Sequence, residues 1–245
     1  MGTNDAGRQA RSARTIALTG VAAVLVLTMA VVVGVLAGRS FGSVVAGSAL
    51  PATFDATGPV PVGATANGAI RVGEPGAPVT IRVVADLQCP ACAHFEEVHG
   101  ALLAEVVDNG TAAVEYNIVT FLDRASTDEY SSRAGNASYC VAASGLANYQ
   151  HWLSVMFENQ PGEGGEAGFP DSELIALAEQ AGYRDPAVAQ CITARTHDAY
   201  LRARTAEILE GRAQATPTVF IDGAKADSST LATEAGLRAA IDSAR

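Results

Sequence analysis

Aromatic side chains are scarce in this chain, 6% of 245 residues, and basic side chains number 16 against 26 acidic ones, for a formal net charge of −10. The first shortage excludes a base-stacking platform. The second excludes a groove that tracks phosphates, which needs clustered lysine and arginine. Charged residues are also few, at 17%, while 49% of the chain is hydrophobic. A chain of that balance buries a core and is neither disordered nor collagen-like. No internal repeat is visible. Cysteine is limited to four residues, an even number whose placement bears on both compartment and chemistry.

The run Ile16 to Ala37 holds 22 residues without a charge. At helical rise it reaches roughly 33 Å, enough to span a bilayer. Arg8, Arg11 and Arg14 precede it, opposed only by Asp5, and Arg39 follows. The positive-inside bias therefore predicts a cytoplasmic tail at 1–15, one transmembrane helix at 16–37 and everything beyond it outside the cell membrane. The competing reading is a cleaved signal peptide, with Val35 and Ala37 as the small-residue site and a secreted product. Either way the bulk of the chain is exported, where thiols can remain oxidised. Residues 38–69, with Arg39 and Asp55 as their only charges, read as a flexible linker or a plain disordered spacer. The rest, 70–245, keeps 24 acidic and 12 basic residues and is long enough for a real core.

Within that domain, Gly73 to Pro78 is a turn-rich lead-in and Val79 to Ala85 is a β-branched strand. Cys89-Pro90-Ala91-Cys92 comes next and opens a helix running through Val106, with proline where a first helical residue has no N–H partner to lose. Val114 to Phe121 reads as a second strand. The next stretch is mainly helical: Asp171 as a cap, Gly182 as a stop, and Asp185-Pro186 as a new start. A loop with four glycines, Asn159 to Pro170, is expected to be mobile. Tyr149, His151, Trp152 and Phe157 are expected as helical core rather than a cofactor or partner box. Thr216 to Ile221 gives a strand closed by the hairpin signal Asp222-Gly223; a weak strand near Ala224 to Ala226 and a helix over Thr230 to Ser243 end the chain. The β-α-β half followed by a β-β-α half predicts an α/β, thioredoxin-like fold with a helical insertion at about 123–213.

A Cys-x-x-Cys at a strand-to-helix junction places its first sulfur at the helix N-terminus, where free N–H groups and the macrodipole favour a thiolate. Cys89 is thus the candidate nucleophile and Cys92, turned inward, the candidate resolving thiol, exchanging disulfides through a mixed disulfide. Zinc is disfavoured because Cys140 and Cys191 do not form a second close pair, and His94 and His99 are five apart on a helix. A purely structural Cys89–Cys92 bond would close a loop too small to constrain the unfolded chain. Cys140 and Cys191, 51 positions apart, are expected to bond to one another, the alternative being two buried free thiols.

The runs Gly73-Glu74-Pro75-Gly76-Ala77-Pro78-Val79 and Asp86-Leu87-Gln88-Cys89-Pro90-Ala91-Cys92, with Thr216-Pro217-Thr218 downstream, resemble the DsbA-like thiol:disulfide oxidoreductases of the thioredoxin superfamily. The resemblance covers roughly Ile70 to the C-terminus. It implies a cis peptide before Pro217 beside the Cys89 sulfur, with Thr216 and Pro217 binding an extended substrate; Pro217 read alone is equally a trans edge-strand residue. It implies no cofactor, reduced exported proteins as substrates, and re-oxidation by a quinone-linked membrane protein of the DsbB or vitamin K epoxide reductase type. Two departures stand out. Pro90 and Ala91 offer no side-chain donor where oxidases often have histidine, so a smaller depression of the Cys89 pKa is expected. Val83 stands where many relatives have a buried glutamate; Asp86 substitutes only if it points inward, and its simpler reading is a strand-end or capping acid. Gln88 completes the surroundings. The leading expectation is an oxidase, the alternatives being a reductase or isomerase kept reduced by a membrane donor, and a non-enzymatic membrane-tethered binding domain.

Overall fold

The β-branched run Val79–Ala85 forms strand β2 at the centre of a five-stranded sheet. The computed structural model describes residues 60–162, 167–211 and 213–245. The expected cytoplasmic tail (1–15) and transmembrane helix (16–37) lie outside the described residues, as does the linker up to residue 59. Among the described residues no helix is long and apolar enough to cross a membrane.

Strand β1 (Ile70–Val72) precedes β2, and α1 (Pro90–Asp108) and β3 (Ala112–Ile118) come after it. Five helices are next: α2 (Tyr130–Ser144), α3 (Tyr149–Glu158), α4 (Asp171–Gln180), α5 (Pro186–Ala194) and α6 (Asp198–Glu210). Strands β4 (Thr218–Ile221) and β5 (Ala224–Lys225) and helix α7 (Glu234–Ser243) complete the chain. The sheet order is β1-β3-β2-β4-β5, with β2 and β3 parallel and the other pairs antiparallel. Parallel neighbours need a crossover, and α1 supplies it. The fold is thioredoxin-like, with α2 to α6 inserted between β3 and β4.

Several boundaries differ from expectation. Strand β1 is too short to show an alternation in sequence. Strand β3 occupies Ala112–Ile118 rather than Val114–Phe121. A linker over 38–69 does not describe its last residues: Ala64 bridges Ile70, Ala69 is buried, and the Tyr139 hydroxyl donates to the Gly68 carbonyl at 2.7 Å. Asp171 is the first residue of α4 rather than its cap, and its carboxylate meets Arg133 at 3.1 Å instead. The Asp222-Gly223 turn takes positive φ at both residues, 46° and 79°, as a tight hairpin turn requires.

Helix α1 buries Cys92, Phe95, His99, Leu102, Leu103 and Val106 along one stripe, the period of a helix lying on a sheet. On β2, Val79, Ile81, Val83 and Ala85 join that core. Val84 belongs to a second, smaller cluster with Val119, Ile208, Ala213 and Phe220. Tyr149, Trp152 and Phe157 are core as expected, whereas His151 is exposed.

Helix α2 is buried from Tyr130 to Ala142 although five of its residues are strongly polar. Each of these has a partner. The Ser131 and Ser132 hydroxyls donate to Asp86 and Asp123, Arg133 pairs with Asp128 and Asp171, Asn136 accepts from the His197 N–H, and Ser138 meets the Tyr149 hydroxyl. Gly135 is required for the close approach of α6, since a Cβ there would stand 2.5 Å from Leu201 Cδ2.

Cys140 on α2 and Cys191 on α5 form a disulfide, with Cα atoms 5.7 Å apart and 51 residues of sequence separation. A loop of that size contributes about 4 kcal/mol on the chain-entropy estimate. Cys140→Ser is expected to lower the melting temperature by on the order of 10 °C while dithiol exchange stays unchanged. A thermal melt paired with an exchange assay checks this; a lost activity with an unshifted melt would contradict the structural role.

Candidate active site

Cys89 is the N-cap of α1, with φ −79° and ψ 117°, and Pro90 is the first helical residue. Its carbonyl accepts from Cys92 N at 2.9 Å and Ala93 N at 3.1 Å, so the two cysteines stand on the same first turn. Both are free thiols. Pro90 and Ala91 between them are exposed, Cys89 is 8% exposed and Cys92 1%. One sulfur is therefore at the rim and the other behind it.

That difference in position makes the two thiols chemically unlike. The Cys89 thiol is lowered to about 6: the Cys92 thiol contributes most, opposed by burial, and the Thr216 side chain and the N–H groups of Cys92 and Ala91 add to it. Burial pushes the Cys92 thiol well above its ordinary value, and the neighbouring Cys89 sulfur adds to this. The absence of a side-chain donor between the cysteines was the reason to expect a smaller depression. The structure shows what substitutes for it, namely the second thiol and backbone N–H groups at a helix start.

The Thr216–Pro217 peptide is cis, and the Cys89 sulfur lies 3.5 Å from the Thr216 carbonyl oxygen. Residues 89 and 216 thus meet across 127 positions of sequence. Ala91, Phe95, Val98, Pro217 and Leu231, together with His94 and His99, line a largely apolar groove of about 170 Å³ alongside them.

Asp86 directly follows the end of β2, is fully buried and points inward, so that it is at once a strand-end acid capping backbone N–H groups and a carboxyl in the interior beside the site. One carboxylate oxygen accepts from Gln88 N at 2.9 Å and from the Ser131 hydroxyl at 2.7 Å; the other accepts from Leu122 N at 2.8 Å. Burial nevertheless raises its carboxyl to about 6, against the pull of those donors, and the Cys89 charge adds a little to the rise. Gln88 is buried as well, its Oε1 accepting from Ser131 at 3.3 Å.

Sequence reading missed Gln160. Its side-chain amide donates to the Leu87 carbonyl at 2.9 Å and the Cys89 carbonyl at 3.1 Å, fixing the loop that carries the first cysteine. It also missed Ser131. Neither residue lies near the cysteines in sequence, and no local pattern announces a contact made by folding.

A family model described as Thioredoxin matches residues 65–243. Among solved structures, the reduced disulfide bond oxidoreductase DsbG of Mycobacterium tuberculosis is 32% identical, with 74% of this chain and 88% of that one covered and a TM-score of 0.65. Oxidized DsbA of the same organism is 32% identical over 71% of this chain and 91% of that one, TM-score 0.64. MdbA, a thiol-disulfide oxidoreductase of Corynebacterium diphtheriae, is 25% identical over 78% and 97%, TM-score 0.60. The curated serine/threonine-protein kinase PknE of Mycobacterium tuberculosis is 34% identical over 130 residues, 51% of this chain, and the match spans only 23% of the kinase. The chain belongs to the thioredoxin family and, within it, to the DsbA- and DsbG-like thiol–disulfide oxidoreductases.

Proposed function

We propose that this protein forms disulfides in exported proteins, with Cys89 as nucleophile and Cys92 as resolving thiol. The observation that carries the reading is the asymmetry of the pair: a rim sulfur whose thiol sits at about 6, and a buried partner pushed well above its ordinary value. In the oxidised enzyme a substrate thiolate attacks the Cys89 sulfur, the Cys89–Cys92 bond breaks, and Cys92 leaves as a thiolate that takes up a proton. A second substrate thiolate then displaces Cys89, a good leaving group because its thiolate is stabilised. The substrate keeps the disulfide and the enzyme keeps two electrons, which pass to a quinone-linked membrane protein. Thr216 and Pro217 hold the substrate backbone, and the groove beside them takes its apolar side chains. Residues 16–37 anchor the domain at the outer face of the cell membrane.

The Cys89 depression also sets a magnitude. At pH 7 a thiol one unit below the solution pH stabilises the dithiol form by about 1.4 kcal/mol, roughly 30 mV. That is less than a thiol near 3.5 supplies, so a milder oxidant is expected than the strongest family members. The test is the reduction potential of Cys89–Cys92 in the full chain, equilibrated against glutathione with Cys140–Cys191 intact. A value between about −120 and −230 mV supports disulfide donation. A value at or below about −270 mV moves the assignment to reductase or isomerase.

A further inference from the structure

Asn136 and Cys140 occupy i and i+4 positions of α2 and so stand one turn apart on the same face. The Asn136 side chain reaches across to the turn between α5 and α6. Its Nδ2 donates to the Cys191 and Ile192 carbonyls, each at 3.4 Å, and its Oδ1 accepts from the His197 N–H at 2.8 Å. One amide on α2 therefore holds both Cys191 and His197 in place opposite Cys140. Tyr139, the neighbour of Cys140, sets its ring 5.9 Å from that of His197 and 5.6 Å from that of Tyr200. Leu201 of α6 is fully buried against Gly135, which fixes the two helices close together.

The Cys140 and Cys191 sulfurs and a ring nitrogen of His197 lie within 4.8 Å of one another. Cys140 is buried, whereas Cys191 and His197 are partly exposed, so the group is open to solvent on one side. The amide, ring and helix contacts that gather these residues do not run through the sulfur–sulfur bond. Reduction of that bond therefore leaves two thiols and an imidazole around one point. Sequence spacing gave no second close cysteine pair and spoke against zinc; the fold supplies a third donor, His197, that spacing does not show.

Two thiolates and one imidazole are the donors that a borderline-soft ion such as zinc takes, and the open side leaves water the fourth position. The Cα atoms of the two cysteines are 5.7 Å apart. That separation suits thiolates about 3.8 Å apart, the edge of a tetrahedron with metal–sulfur bonds of about 2.3 Å. We propose that the dithiol form of this chain binds a zinc ion through Cys140, Cys191 and His197, the ion and the disulfide being alternative links between α2 and α5. Binding displaces one proton from each thiol and moves no electrons. A disulfide oxidant such as oxidised glutathione then takes two electrons from the thiolates, becomes two thiols, and leaves the Cys140–Cys191 bond and a released ion. While bound, the ion withholds the two sulfurs from exchange.

The test uses the full chain with Cys89→Ser and Cys92→Ser, so that the other cysteine pair does not compete for metal. It is reduced with a phosphine and titrated with Zn²⁺ against a chromophoric chelator, and with Co²⁺ followed by absorption. Zinc is expected to bind the reduced protein once per chain, to raise its melting temperature, and to slow closure of Cys140–Cys191 by oxidised glutathione at least about tenfold. Cobalt is expected to give the thiolate charge-transfer and tetrahedral bands. His197→Ala is expected to weaken zinc more than about tenfold, and Cys140→Ser to weaken it further. The proposal is overturned by absence of saturable binding to the reduced protein, by equal affinity for the oxidised protein, or by unchanged affinity in His197→Ala. Should the reduced protein unfold without metal, zinc is expected to restore its helical circular dichroism, and failure to restore it also overturns the proposal.

Discussion

Cys89→Ser is expected to lower the rate of dithiol exchange by more than roughly a thousandfold, because the hydroxyl that replaces the thiol has no accessible anion at neutral pH. The thiol it removes is the one lowered to about 6 and placed at the rim of the site. Cys92→Ser is expected to behave differently. With oxidised glutathione in the assay as the source of oxidising equivalents, Cys89 is first joined to glutathione and then attacked by a substrate thiolate that must displace either glutathione or Cys89; a bond formed between Cys89 and the substrate cannot be resolved from within, so mixed disulfides accumulate. The two variants are compared by oxidation of a reduced, unfolded substrate protein and by non-reducing electrophoresis of the products. Wild-type exchange in Cys89→Ser would remove the assignment of nucleophile, and failure of Cys92→Ser to trap adducts would remove that of resolving thiol.

The second large effect lies in pH dependence. Alkylation of the reduced protein at Cys89 is expected to rise with pH through a midpoint at about 6, while Cys92 stays unreactive because burial holds it protonated. Asp86 titrates at about 6 in the same region, so the two steps belong to a coupled pair. Two negative charges repel. Asp86→Asn is therefore expected to move the alkylation midpoint to lower pH, and a rise in the midpoint would show that the carboxylate does not act on the sulfur through charge.

The same shifts act on stability with opposite signs. Cys89 titrates lower in the fold than in the unfolded chain, so its contribution to the reduced protein is present at high pH and lost as pH falls through about 6. Asp86 is raised from 3.8, so its contribution is present at low pH and lost as pH rises through about 6. Denaturation of the reduced protein and of Asp86→Asn on both sides of that pH separates them. Between about pH 4 and 6 the variant's stability is expected to lack the decline that the carboxyl imposes.

Much of this site is legible locally. The β-branched run, the cysteine pair at the strand end, the proline after Cys89 and the Asp-Gly turn each state a backbone preference within a few residues, and these preferences specify β2, α1 and the β4–β5 hairpin. The illegible part depends on donors brought from afar. The direction of Asp86 is set by N–H groups of Gln88 and Leu122 and the hydroxyl of Ser131, two of them more than 30 residues away. Helix α2 shows the same limit, since its serines, arginine and asparagine suggest an exposed surface until each buried group is matched with its partner. Arg133 is 5% exposed between Asp128 and Asp171, and nothing in the residues around it indicates a charge in the interior. The end of the linker was obscured for the opposite reason. Small neutral residues at 64–69 carry little pattern, and it is Tyr139, far downstream, that ties them to the fold.

The bond between Cys140 and Cys191 gives the protein a place on both sides of its own chemistry. Each newly made chain must lose two electrons from its helical block before that block is complete. Under the proposed oxidase function a young chain is also a substrate: an oxidised copy takes those two electrons and passes them to its own re-oxidant, and a chain still lacking the bond is short of stability and not of exchange activity.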